Sequence, residues 1–216
     1  MRTGSTNPLS GISIIDQKIA IEKCDNITEV GRYINEFQKH LIQNDWFKYI
    51  TDASQMMNSK KTELSSDQRL TLKFFLTKSL LSTLIRTLSS SRAENDIYFL
   101  GYLNTLDTRR IIIGIMKITL NTSRKPNYPV IDTLIIHPGL ENCGYLFIEE
   151  AVNFSQSKEY KGNLKLVTAA ESLLDVYAKI GFIEQSLGEM VLEPLVSQQW
   201  KYDSSLQKFN FISKCL

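Results

Sequence analysis

The chain has 216 residues, 43% hydrophobic and 22% charged, with a formal net charge of +2. That length allows one well-buried core, or one core with an appended subdomain, and the composition is that of an ordinary globular protein. A charge so near neutral, with no long block of one sign, gives no global attraction to nucleic acid or to an anionic membrane.

Lys60-Lys61 and Arg109-Arg110 read as solvated basic spots. Cys24, Cys143 and Cys215 lack metal-ligand spacing, and the only histidines, His40 and His137, lie far apart in sequence, so no metal site is expected. Free thiols in a reducing, cytoplasmic compartment are the simplest reading. Cys215 is second from the end and cannot serve a C-a-a-X box. No apolar run approaches about twenty residues, so no membrane span is expected. Met1 to Ser13 lacks the apolar segment of a secretory signal. Residues 1–17 read as a poorly ordered tail and 18–216 as a single domain.

Lys18 to Lys23 alternates polar and apolar, as a half-buried strand does. Val30, Ile34, Phe37 and Leu41 then recur at helical spacing, with Asn26 or Thr28 as the cap. A second helix is expected from Asn44, with Trp46, Phe47, Ile50 and Ala53 inward. Ser66-Asp67 opens a long helix to about Ser89, with a wide apolar stripe through Leu70, Phe74, Leu76 or Thr77, Leu81, Leu84, Ile85 and Leu88. The aromatics on these helices read as core.

From Ile97 the period changes. Ile97 to Leu103 and the Ile-rich run Arg110 to Leu120 predict a hairpin buried on both faces. After a polar loop, Val130 to Ile136 is the next strand, stopped by His137-Pro138-Gly139. A helix from about Cys143 to Ser157, a strand Leu164 to Thr168 and a helix Ser172 to Lys179 follow, with Gly181 as the C-cap. Tyr177-Ala178-Lys179-Ile180-Gly181-Phe182 thus closes a helix and opens a strand. Two final strands are expected at about Glu189 to Leu192 and Phe209 to Ser213, separated by a loop containing Trp200. Strand pairs alternating with single helices predict an α/β (α+β) fold, a mixed and mainly antiparallel twisted sheet of about seven strands with helices on both faces.

This order resembles the GNAT-type N-acetyltransferase superfamily over most of the chain after Lys18, and most closely between Val130 and Phe182. Leu134-Ile135-Ile136-His137-Pro138 is similar to the family's strand before its pyrophosphate loop. In Glu141-Asn142-Cys143-Gly144-Tyr145-Leu146, Gly144 matches the central glycine, while Glu141 replaces the usual Gln or Arg and Leu146 the usual small residue. Tyr177 and Gly181-Phe182 match Tyr-x-x-x-Gly-Phe, and Ala170 stands where an Asn often sits. The resemblance implies acetyl-CoA as co-substrate and no metal. Ile135 and Ile136 would lie along the pantetheine arm, and Glu141, Asn142, Cys143, Gly144, Tyr145 and Leu146 would hold the pyrophosphate. The helical region from Ser66 is longer than the family's usual.

Acyl transfer from a thioester to an amine needs a neutral amine, a polarised carbonyl and a proton for the leaving thiolate. A phenol, with an ordinary pKa of about 10, suits the last task. Tyr177 is the candidate acid and Asp132, where relatives often carry a Glu, the candidate base; Glu171 and Glu184 are weaker. A backbone N–H near Ile135 or Ile136 would polarise the carbonyl. His137 reads as a strand-end residue. Cys143 sits at a helix N-terminus, which lowers a thiol's pKa, yet no partner histidine is identifiable.

The function expected is N-acyl transfer, most simply of acetyl from acetyl-CoA to a primary amine of a small molecule or protein, by direct attack in a ternary complex. A homodimer is possible in such a frame. Two other readings stand beside it: a catalytically inactive binding or regulatory module, and a secreted effector that acylates partner proteins.

Overall fold

The computed structural model describes residues 18–43, 66–88, 95–104, 110–120, 127–140, 142–168 and 171–212. The expected tail, the helix from Asn44 and the loop residue Glu141 lie outside the described residues.

In chain order the elements are β1 (Lys18–Cys24), α1 (Ile27–Gln43), α2 (Ser66–Leu88), β2 (Asp96–Asn104), β3 (Arg110–Thr119) and β4 (Val130–Ile136). They continue with α3 (Gly144–Ser157), β5 (Leu164–Val167), α4 (Glu171–Ile180), β6 (Ile183–Ser186), β7 (Glu189–Leu192), β8 (Trp200–Asp203) and β9 (Lys208–Phe211). Seven strands form one sheet in the order β1-β2-β3-β4-β5-β7-β6, and β8 pairs with β9 separately. The β4–β5 pair is parallel, so its connection must cross over, and α3 is that crossover. The β5–β7 and β6–β7 pairs are antiparallel. The fold is therefore α+β with a mixed, mostly antiparallel sheet, as expected.

Trp200 was expected in a loop but begins β8, paired with Phe211. Its indole N–H donates to the Ile180 carbonyl at 2.7 Å. A four-residue strand offers too few positions for a period to show; its identity comes from its partner strand. The strand opened by Gly181-Phe182 is β6, exposed at all four positions, so it too lacks alternation.

The described residues divide between two compact units. The first draws on residues 1–93, 100–114 and 135–141. Here Asn26 Oδ1 caps α1, accepting from the Thr28 and Glu29 amides at 3.0 and 3.2 Å. Helix α1 buries Val30, Tyr33, Ile34, Phe37 and Leu41 at the predicted spacing. On α2 the buried seam is Phe74, Thr77, Leu81 and Leu84, while Leu76 and Leu80 are 44% and 46% exposed. That seam is narrower than the stripe expected, because only part of an apolar face finds a neighbour.

Tyr33 joins α1 to two strands: its hydroxyl lies 2.6 Å from the carbonyls of both Gly101 and Gly114. Burial pushes this phenol well above its ordinary range. Tyr33→Phe removes the donor beneath both strands and is expected to cost about 1–3 kcal/mol in chemical denaturation. An unchanged midpoint would show that the two carbonyls do not depend on it.

The second unit draws on residues 94–99, 115–134 and 142–216. Helix α3 buries Phe147, Ile148, Ala151, Val152, Phe154 and Ser155. Its polar side chains act on β9 as an extra strand would. Asn153 accepts from the Phe209 amide at 2.8 Å and donates to the Phe209 carbonyl at 3.1 Å. The Glu149 carboxylate accepts from the Phe211 amide at 2.8 Å. On β5, Lys165 is 2% exposed and pairs with Glu189 at 3.1 Å, so the buried charge has its counter-ion.

Candidate active site

Strands β4 and β5 pair through two residues each, the first two of β4 and the middle two of β5. Val130 faces Lys165 and Ile131 faces Leu166, with the Lys165 amide donating to the Pro129 carbonyl at 2.9 Å. Beyond Ile131, β4 continues for five residues to Ile136 with no further pairing to β5. Strand β5 instead pairs over its whole length with β7, from Leu164–Leu192 to Val167–Glu189.

The end of β5 is held to the β6–β7 turn, where the Thr168 amide donates to the Gly188 carbonyl at 2.8 Å. Gly188 has φ +72°, and a Cβ there would lie 2.2 Å from the Thr168 carbonyl oxygen, so only glycine fits. From Asp132 to Leu134, β4 has no β5 partner among the described residues, and an extended amide-bearing chain can pair with backbone groups left in that way. At the far end of this strand Ile135 is buried and Ile136 half-buried.

Cys143 is the N-cap of α3, with φ −100° and ψ −12°, and makes no side-chain cap. The first turn contains no acidic residue. Asn142 turns the chain with φ 55°, a left-handed conformation that Asn tolerates. The helix dipole favours an anion at this terminus.

A Cβ on Gly144 would meet only Leu134 Cδ2, at 3.9 Å, an ordinary contact. Packing inside the protein therefore does not demand glycine at this position. Tyr145 and Leu146 are half-buried, and the Tyr145 ring packs against Phe211 with centroids 5.4 Å apart. Cys143 is 4% exposed, and burial pushes its thiol up rather than down. Burial thus opposes the thiolate that a nucleophilic or metal-binding cysteine needs.

Helix α4 ends as its sequence predicts. Gly181 has φ +105°, its amide donates to the Ala178 carbonyl at 2.9 Å, and the Phe182 amide donates to the Tyr177 carbonyl at 3.1 Å. The Tyr177 ring meets Phe182 edge-on, with centroids 5.7 Å apart. Burial raises its phenol above the ordinary value, so it stays protonated through the neutral range. Of the weaker candidates, Glu184 accepts from the Gly188 amide at 3.1 Å and serves the β6–β7 turn. The side chain of Glu171 lies outside the described residues.

Asp132 occupies the first β4 position past the paired residues. It bonds to the Thr119 hydroxyl, and its Oδ2 lies 3.3 Å from Lys117 Nζ. Lys117 also pairs with Asp96 at 3.0 Å, and Thr119 donates to Asp96 at 2.7 Å. Burial works against the Lys117 ammonium, but the Asp96 hydrogen bond and the two carboxylate charges leave its pKa raised. Sequence reading passed over Lys117, Thr119 and Asp96. The available signal was a lysine in an otherwise apolar strand, which demands a counter-ion.

His137 is 2% exposed and sits among aromatic rings. Phe37 stacks on it at 6.1 Å, while Phe74 and His40 meet it edge-on at 6.2 and 5.9 Å. Its Nδ1 accepts from the Gly139 amide at 3.1 Å. It is a packed residue of the strand end, as the sequence suggested.

A separate cavity of about 680 Å³ is lined by residues of the α4 end, β6, β7 and the segment 193–199, among them Gly181, Gln185, Glu189, Glu193 and Gln199. None of the nominated site residues lines it. Among the described residues, no helix is long and apolar enough to cross a membrane, and no group of three or more His, Cys, Asp or Glu is placed to hold a metal ion.

No family model and no curated protein matches the sequence. Similar solved structures include the KacTA–DNA complex, 12% identical over 54% of this chain and 77% of that one, with a TM-score of 0.42. Another is a mutant AtaT toxin bound to the C-terminus of the antitoxin AtaR and acetyl-CoA: 15% identical, 51% and 79% covered, TM-score 0.39. A mutant spermidine/spermine N-acetyltransferase SpeG from Vibrio cholerae is 12% identical, with 91% and 96% covered and a TM-score of 0.37.

Proposed function

We propose that the protein is an N-acyltransferase that moves an acyl group, acetyl in the simplest case, from its CoA thioester to a primary amine. The observation that carries this reading is the parting of β4 from β5 after Ile131, next to a helix whose N-cap residue, Cys143, makes no side-chain cap. Such an arrangement suits a ligand with an extended amide chain at one end and phosphates at the other. Pantetheine attached to a pyrophosphate has that form.

In this reading the open edge of β4 takes the pantetheine arm, and a backbone amide near Ile135 or Ile136 polarises the thioester carbonyl. The amides of residues 142–145 take the pyrophosphate, since that of Leu146 donates to the Cys143 carbonyl. Asp132 accepts the proton of the incoming ammonium, directly or through water. The amine nitrogen then attacks the carbonyl carbon, the C–S bond breaks, and the Tyr177 hydroxyl donates its proton to the departing sulfur. The products are an amide and free CoA thiol.

Calorimetry with acetyl-CoA tests the cofactor, and release of CoA thiol across a panel of amines tests turnover. Absence of binding at millimolar cofactor would sink the reading. Binding without release for any amine would leave the binding-module alternative.

Gly144→Ala offers a sharper check. Its added methyl meets nothing closer than 3.9 Å among the described residues, and alanine is the better helix former by about 0.5–1 kcal/mol. Thermal stability is therefore expected to hold or rise. Affinity for acetyl-CoA should fall roughly tenfold, since the methyl intrudes on the phosphate side. Equal affinity in the two proteins would place the pyrophosphate elsewhere.

A further inference from the structure

Two carboxylates flank Lys117 and Thr119, and they are not equivalent. Asp96 uses both oxygens: Oδ1 accepts from Thr119 and Oδ2 meets Lys117. Asp132 uses one: both its bond with Thr119 and its ion pair with Lys117 fall on Oδ2. Its Oδ1 has no partner among the described residues. Side-chain exposure follows the same division, at 12% for Asp96, 14% for Lys117 and 36% for Asp132.

We propose that Lys117, Thr119 and Asp96 are positioning residues that anchor Asp132 by one oxygen and present the other at the point where β4 leaves β5. This rests on the reading of Asp132 as the base.

The chemistry of each member fits its place. Lys117 has three donors and no acceptor, so it can bridge two carboxylates while Asp96 compensates its charge in a nearly buried setting. The Thr119 hydroxyl has one proton, which the Asp96 and Asp132 oxygens beside it must share. Its β-branched side chain is stiff about χ1, so the hydroxyl is itself held. Asp96 begins β2, Lys117 and Thr119 end β3, and Asp132 is near the start of β4. Three strands therefore define the position of one carboxylate, and rigid strands place a group better than a loop does.

With Oδ2 occupied, Oδ1 is the atom able to accept a proton from an ammonium or from an ordered water. An Asp free to rotate would spend much of its time elsewhere, and small misplacements of a reacting group are costly.

The test compares Thr119→Val, which keeps the shape and loses the hydroxyl, with Thr119→Ser, which keeps the hydroxyl. In Thr119→Val, kcat is expected to fall roughly 10- to 100-fold, with KM for the amine within about twofold of the parent. A crystal structure should show the Asp132 carboxylate displaced on an unchanged strand. Thr119→Ser should retain most of the parental kcat. If Asp132 stays in place in Thr119→Val, or if Thr119→Ser falls as far as Thr119→Val, the positioning role is overturned.

Lys117→Met supplies a second arm and should displace Asp132 as well. Asp132→Asn separates the two layers of the argument. Full turnover in that variant would remove Asp132 as the base, while the displacement measured in Thr119→Val would still decide whether Thr119 positions it.

Discussion

Replacing Tyr177 by Phe is expected to lower the rate of CoA release by about 10²–10⁴-fold, the range for a lost general acid. Stability should stay within about 0.5 kcal/mol of the parent. The change removes one oxygen and keeps the ring, so the edge-on contact with Phe182 and the Tyr177 carbonyl that closes α4 both persist. Because burial holds the phenol above its ordinary range, it is a reservoir that stays filled at neutral pH. Acetyl-CoA affinity should be nearly unchanged, since a proton given only as the C–S bond breaks contributes to the transition state and not to the ground state.

The leaving group supplies the control. A thioester of a more acidic thiol needs less proton donation, so the gap between parent and variant should narrow with such a donor. A gap of the same size for both donors would mean that the hydroxyl acts in some other way. No gap at all would remove Tyr177 from the mechanism.

Acid should destabilise the fold through His137 by about 3 kcal/mol between neutral pH and about pH 4. Burial, followed by the neighbouring His40, holds its pKa down at about 4 against an ordinary 6.5. His40 is lowered in the same sense, by burial. The unfolded chain takes up the His137 proton near pH 6.5, whereas the folded protein refuses it until about pH 4. The contribution is therefore fully present above about pH 6.5 and is lost as pH falls toward about 4.

The geometry explains the refusal. Nδ1 accepts from the Gly139 amide, which assigns the ring proton of the neutral imidazole to Nε2, a buried atom with no partner. A second proton would have to displace the Gly139 amide and leave a cation among Phe37, Phe74 and His40. His137→Asn removes the titration while offering an acceptor oxygen near the Nδ1 position. Urea unfolding of both proteins at pH 7 and pH 4.5 should show a smaller acid loss in the variant. Equal losses would assign the acid sensitivity to other groups.

Local chemistry made much of the molecule legible. Asn26 before Val30 marks a helix start because its short amide reaches the first free N–H groups. Gly181 marks a helix end because the chain needs a positive φ there. Val130 to Ile136 reads as a strand because branched side chains suit a pleat and the following proline stops it. Tyr177 and Gly144 stand out only through the resemblance to the GNAT-type family.

What the chain order could not show is who desolvates or neutralises whom. Cys143 has the neighbourhood of a lowered thiol, yet packing around it raises the pKa. Lys117 reads as an interruption of an isoleucine run until Asp96 and Asp132 arrive from two other strands. The α2 seam is narrow because a helix face is buried only where another element covers it. The parting of β4 from β5 shows only in which residues of the two strands pair. Periodicity and turn residues act within a few positions of themselves; burial, counter-charge and strand divergence depend on partners that only folding brings near.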